Sequence, residues 1–238
     1  MNIQDLIIKD SEHVELNDLF LGDDNRERIH QLIKEHRYRE DLLRFGLPLT
    51  HKVLLHGSSG CGKTSTAKAI AGVLNKPLIL LNLSNVVNAR IGETSQNIKR
   101  VFDRARRDEA VLFLDEFDQL GKARGEDEND VGEMRRLVNS LIQLIDYLPQ
   151  EVLLIAATNH LSILDTALIR RFQLRIPYEM PDNQALDLFY ESLLERFPDE
   201  LHPQRRLYRV SFAEAKDYLF SMVKSNLIAK LEMKGRTL

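Results

Sequence analysis

The sequence predicts an α/β fold in which a parallel sheet lies between two helical layers, with a small helical domain at the C-terminus. Three observations carry this. Short, near-continuous apolar runs alternate with helical segments, the pattern of parallel strands covered on both faces. The segment IPYEMPD, with two prolines, closes that alternation at residues 176–182. Beyond it only helical patterns remain.

Residues 1–16 read as an entry segment, 17–180 as the α/β domain and 181–238 as the helical domain. Between Asn25 and Arg44, the apolar residues Ile29, Leu32, Ile33, Leu42 and Leu43 have helical spacing amid many charges. Pro48 breaks that region, and KVLLHG follows as a buried strand ending in glycine. A glycine-rich turn leads into KTSTAKAIAGVL, an alanine-rich helix. PLILLNL is then a strand, SQNIKRVFDRAR a helix, and VLFLDEFD a strand with carboxylates at its end. KARGEDENDV, between Gly121 and Gly132, reads as a solvated, mobile loop. MRRLVNSLIQLID is a helix and EVLLIAATN a strand. In the last domain, Asp182 is placed to cap NQALDLFYESLLERF, and Ser211 with Glu214 has the spacing of a capping box before SFAEAKDYLFSMVKSNLIAKL.

The 238 residues suffice for one large domain and a small companion. Hydrophobic residues make up 43% and charged residues 29%, an ordinary globular composition. A net charge of −3 is no footprint for strong nucleic-acid binding. The single cysteine, Cys61, excludes an intramolecular disulfide. MNIQDLIIKDSEH lacks the layout of a signal peptide, and no apolar run nears the roughly 20 residues of a membrane helix. The expectation is a cytoplasmic protein with no membrane insertion.

The strongest motif is GSSGCGKT, residues 57–64, which satisfies G-x-x-x-x-G-K-[ST] between a strand and a helix. Gly57, Gly60 and Gly62 let the backbone curl so that the amides of Ser58, Ser59, Gly60, Cys61, Gly62 and the helix start, through Ser65, face phosphates. The helix N-terminus adds partial positive charge there. Lys63 reaches the β- and γ-phosphates, and the Thr64 hydroxyl ligates Mg²⁺. In VLFLDEFD, Asp115 and Glu116 emerge at the carboxyl end of a strand, the edge where ligands bind in open α/β sheets. Asp115 is placed to hold Mg²⁺, and Glu116 to orient and polarise the attacking water. Asp118 is as consistent with surface solvation as with a role.

These motifs together resemble the AAA+ family of P-loop ATPases, and within it the AAA clade of protein-remodelling enzymes. The resemblance covers residues 15–180 well and the remainder loosely. It implies a P-loop NTPase three-layer sandwich with a C-terminal helical lid, and ATP with Mg²⁺ as ligands. LNDLFLGDDNRERI is similar to the segment that lines the adenine pocket in that clade, with Leu21 and Gly22 at the matching positions. AATN resembles the end of the sensor strand, where Asn159 would position the lytic water. LDTALIRRFQLRI resembles the region whose arginines reach a neighbouring subunit's ATP, which Arg170 and Arg171 match. Their adjacency is that of the microtubule-severing and membrane-scission branches. SNVVNARIGETSQNIKRVF is similar to the segment with the first pore loop, but Arg90, Ile91 and Gly92 stand where relatives have an aromatic, an aliphatic and a glycine. The missing aromatic counts against peptide threading. Arg205, Arg206 and Arg209 are available for a second sensor, but none aligns with it and a solvated surface is the favoured reading of each.

The resemblance therefore implies a ring of like subunits, commonly six, that hydrolyses ATP to do work on a separate partner or client protein. Two alternatives stand beside it. One is a nucleotide-gated scaffold that regulates a partner enzyme. The other is a nucleic-acid-linked loader or helper, whose less favoured support is Lys99, Arg100, Arg104, Arg106, Arg107, Arg135 and Arg136.

Overall fold

Strands buried on both faces, with hardly a polar residue at their centres, build the sheet. The computed structural model describes residues 7–8, 14–84, 91–122 and 128–235. Its strands are β1 (Ile7–Ile8), β2 (Lys52–Gly57), β3 (Leu78–Asn82), β4 (Val111–Asp115), β5 (Leu153–Thr158) and β6 (Leu174–Tyr178). They form one sheet in the order β1-β3-β4-β5-β2-β6. Strands β3, β4, β5 and β2 pair in parallel, in registers such as Leu80 with Phe113 and Leu54 with Ala156. Strand β1 pairs antiparallel with β3, so two residues of the entry segment extend the parallel sheet with an antiparallel edge.

The helices of this part are α1 (Asp23–Arg37), α2 (Arg39–Arg44), α3 (Lys63–Val73), α4 (Ile91–Arg107), α5 (Gln119–Lys122), α6 (Glu128–Asp146) and α7 (Thr166–Ile169). Period-2 alternation sends Leu54, Leu112, Leu114, Leu154 and Ala156 into one core with Ile98, Val101, Phe102 and Ala105 of α4 and Leu137, Leu141 and Ile145 of α6. The Phe117 and Phe172 rings meet edge to face at 5.6 Å in that core. The intervening strand residues Val53, Leu55, Phe113 and Ile155 are fully buried on the opposite side. There α1 and α3 supply Ile29, Leu32, Ala67 and Ile70. The chain thus makes the expected three layers. Helix α6 begins at Glu128, inside the stretch read as a loop, so that loop is shorter than expected; residues 123–127 lie outside the described residues.

Edge strand β6 carries carbonyls that would otherwise be open to another chain. Two side chains of α1 cover them. Asn25 Nδ2 donates to Pro177 O at 2.6 Å, and an Arg28 guanidinium nitrogen donates to Arg175 O at 3.2 Å.

By backbone contacts the chain divides into two units, residues 1–57 with 63–177, and residues 58–62 with 178–238. The second unit is built on α8 (Asn183–Leu194) and α9 (Phe212–Gly235). Leu186, Tyr190, Leu193 and Leu194 of α8 meet Ala215, Leu219 and Val223 of α9, both sets at helical spacing. Both caps form as the sequence requires. Asp182 Oδ1 accepts from Ala185 N at 2.7 Å, and Glu214 Oε2 accepts from Ser211 N at 2.8 Å while Ser211 Oγ accepts from Glu214 N at 3.3 Å. Arg206 is not a solvated arginine. It pairs with Asp187 at 2.7 Å and lies over the Tyr190 ring. Arg205 and Arg209 are exposed.

Candidate functional site

The strand order decides where chemistry collects. Strand β2 is flanked by β5 and β6, while the chain leaves it for the more distant β3. The carboxyl ends of β2, β5 and β4 therefore stand side by side, at the crevice such sheets use for ligands. Gly57 ends β2, Thr158 ends β5 and Asp115 ends β4.

Lys63 opens α3 and is buried. Its ammonium donates to Gly57 O at 2.9 Å, so the lysine folds back over the end of β2. A buried cation is stabilised by charge-assisted hydrogen bonds, and an anion is the partner that suits it best. Thr64, the next residue, donates from Oγ1 to Asp115 Oδ2 at 3.2 Å. Asp115 is half-buried, and burial is the largest influence on its carboxyl, pushing its pKa above the ordinary value; the bonds from Glu116 N and Thr64 pull the other way. His56, one residue before Gly57, is held below the usual histidine value by burial and by the charges of Arg175 and Lys63. It adds no positive charge of its own near neutral pH.

Glu116 has φ +53°, a left-handed backbone unusual for a non-glycine residue. Its neighbours over-determine it. Glu116 N donates to Asp115 Oδ1 at 2.9 Å, and Phe117 N donates to Ala157 O at 2.8 Å. Strain held this way is a common mark of a functional position. The Glu116 carboxylate accepts a hydrogen bond from the Ser84 hydroxyl. Ser84 lies just past β3 and carries no motif of its own, so only the sheet order could have revealed it.

Asn159 follows β5 with its residue exposed, while Thr158 before it is buried. Asp118 corrects the solvated reading. It is only 2% exposed, and its Oδ1 accepts from Thr158 Oγ1 at 3.1 Å and Asn159 N at 3.3 Å.

Residues 58–62 group with the C-terminal helices. Gly57, Gly60 and Gly62 have φ of +126°, +70° and +98°, the conformations that let a loop turn its amides inward. Ser58 N donates to Tyr178 O at 2.8 Å, and Gly60 O accepts from Ala213 N at 3.1 Å. Cys61 is 3% exposed with its thiol against Ser59 O, a packed small residue. Ser65 lies in the first turn of α3, beside Lys63 and Thr64.

The remaining predicted positions are spread around the first unit. Gly22 precedes α1 as its N-cap and Leu21 is half-buried. Arg170, at the end of α7, is exposed, whereas Arg171 is tied to Asp146 at 3.3 Å and to Ala167 O at 2.6 Å. Arg90 lies outside the described residues, as does the Ile91 side chain; Ile91 and Gly92 open α4. The basic residues of α4 are not a free stripe. Arg104 and Arg107 pair with Asp108, and Arg106 with Asp103 and Tyr147 O.

Comparison with known proteins gives the same direction. Residues 53–180 match the model of the ATPase family associated with various cellular activities (AAA). An uncharacterized AAA family ATPase of Sinorhizobium fredii, y4kL, is 35% identical over 90% of this chain and 66% of its own length. A putative 26S proteasome regulatory subunit homolog of Methanothermobacter thermautotrophicus is 33% identical over 68% of this chain and 44% of its own length. Cell division protein C of Sulfolobus acidocaldarius is 30% identical over 82% and 54%. The chain thus spans less than two thirds of the length of each of these relatives.

Proposed function

This chain belongs to the AAA family of ATPases, and from that premise we propose that it hydrolyses ATP to ADP and phosphate and couples the cycle to work on a partner protein. One observation carries the reading: the Thr64 hydroxyl meets the Asp115 carboxylate at 3.2 Å, with buried Lys63 next in the chain to Thr64 and Glu116 next to Asp115. A hydroxyl and a carboxylate are hard oxygen donors, the set that suits Mg²⁺. Burial penalises the charged form of Asp115, and a divalent cation relieves that penalty. Thr64 and Asp115 would hold the ion, which supplies neutralisation of charge building on the phosphates.

Lys63 and the backbone amides from Gly57 to Ser65 bind the phosphate oxygens in this reading. Leu21 and Gly22 border the adenine. Glu116 orients the attacking water and draws on its proton, and Asn159 holds that water in line. Arg170 is the residue offered to a neighbouring subunit, whose ATP would otherwise lack a stabilising guanidinium. A ring of like subunits follows from that division, and six is the number the family resemblance suggests. The partner is a separate protein, and the pairing of the α4 arginines with Asp103 and Asp108 argues against a nucleic-acid track. Among the described residues no helix is long and apolar enough to cross a membrane; we place the protein in the cytoplasm.

The test is turnover with Mg²⁺ and ATP, followed by Glu116→Gln. Loss of a positioned base costs about 10²–10⁴ in rate, so the variant should bind ATP and scarcely hydrolyse it. No turnover by the unsubstituted protein at any concentration would overturn the reading, as would full activity of Glu116→Gln.

A further inference from the structure

We infer that Asp118 is a positioning residue for hydrolysis: it fixes Asn159 against the turn that carries Glu116. The inference rests on the ATPase reading and adds to it a residue that no motif assigns.

The argument starts from burial. A carboxylate that is 2% exposed needs hydrogen-bond donors, and an ionised carboxylate can only accept. Asp118 Oδ1 takes two of its donors from consecutive residues, Thr158 Oγ1 and Asn159 N. Both belong to the end of β5, a different strand from the one Asp118 follows. Thr158 Oγ1 in turn accepts from His160 N at 3.1 Å, so the hydroxyl is fixed from both sides. The backbone of Asn159 is thereby clamped while the residue itself remains exposed. On the other side, Asp118 lies two residues past Glu116, and Phe117 N between them is bonded to Ala157 O. Residues 117–118 are stitched to residues 157–159 by three hydrogen bonds, so the water-handling groups at Glu116 and Asn159 share one rigid frame. A shift of about 1 Å in such a frame can cost on the order of 10² in rate without weakening binding.

Chemistry separates this role from bulk support of the fold. What the frame uses is one acceptor oxygen. Asp118→Asn keeps that oxygen, and Asp118→Ala removes it. The expected result is that Asp118→Ala lowers kcat at least tenfold, leaves the Kd for ATP within about threefold, and gains little further loss when combined with Asn159→Ala. Asp118→Asn should recover most of the rate. Should Asp118→Ala fail to fold, Thr158→Val is the second variant, with the same signature of lowered kcat at unchanged ATP affinity. The inference is overturned by a folded Asp118→Ala with normal kcat, by losses that multiply fully with those of Asn159→Ala, or by an Asp118→Asn as impaired as the alanine variant. A Thr158→Val of unchanged kcat has the same force. These failures differ from failure of the ATPase reading, in which the unsubstituted protein would itself show no turnover.

Discussion

Thr64 Oγ1 and Asp115 Oδ2 stand 3.2 Å apart although 51 positions separate them in the chain. Two motifs found independently in the sequence therefore meet through their oxygen donors. The expected consequence is a shared metal requirement. Thr64→Ala should raise the Mg²⁺ concentration for half-maximal turnover by roughly 10- to 100-fold, the usual cost of disturbing a metal site. Removal of divalent ions with a chelator should stop turnover outright. A magnesium titration of ATPase rate decides it: a Thr64→Ala curve superimposed on that of the unsubstituted protein would dismiss the assignment.

Most of this site was legible because each motif sits at a strand end and carries its own chemistry. GSSGCGKT and VLFLDEFD name Lys63, Thr64, Asp115 and Glu116 directly, and buried apolar strands fix the layers. What escaped reading was set by contact across strands. Ser84 reaches Glu116 only because β3 lies beside β4. Asp118 looked like one more acid in an acidic turn, yet the edge of β5 covers it. The antiparallel Ile7–Ile8 pair was equally hidden, since two residues are too few to show a period. Charge density misled at residues 128–131, where a polar stretch read as loop is the start of α6.

Gly121 needs its missing side chain. A Cβ there would come 2.3 Å from Ile163 O, a backbone atom that cannot swing aside. Gly121→Ala should therefore push apart the turn after β4 and the one after β5, costing about 1–3 kcal/mol. Thermal unfolding should show the midpoint several degrees lower. An unchanged midpoint would mean that the backbone yields more easily than this close approach implies.

Two buried histidines should make stability sensitive to mild acid. His36 Nε2 lies 2.8 Å from Thr50 O and His51 Nδ1 lies 3.1 Å from Leu49 O. Burial is the largest influence on both, and it holds each below the ordinary value of 6.5. The unfolded chain therefore takes up protons near pH 6.5 while the folded chain resists them. Stability should be flat above that pH from these groups and fall as pH drops below it, by at most about 1.4 kcal/mol per unit for each histidine. Denaturant unfolding at pH 7.5, 6.5 and 5.5 measures the slope, and His36→Gln should flatten it. A slope of the opposite sign, or one untouched by His36→Gln, would assign the acid sensitivity elsewhere.

The adjacent arginines should not be equivalent. Arg171 spends its guanidinium within its own subunit, on Asp146 and Ala167 O, while Arg170 is exposed at the end of α7. A guanidinium supplied in trans is worth about 10³–10⁵ in rate, so Arg170→Ala should abolish most turnover and leave ATP binding and the melting midpoint nearly unchanged. Arg171→Ala should instead lower the midpoint as well as the rate, because Asp146 and the α7 carbonyl lose their partner. Mixing is the sharper measurement. Arg170→Ala and Glu116→Gln subunits should each be inactive alone, whereas in the proposed ring a mixture would let an intact Glu116 face an intact Arg170 across one interface. Recovery of turnover on mixing is the expected outcome; none, with both variants assembling normally, would remove Arg170 from the neighbour's site.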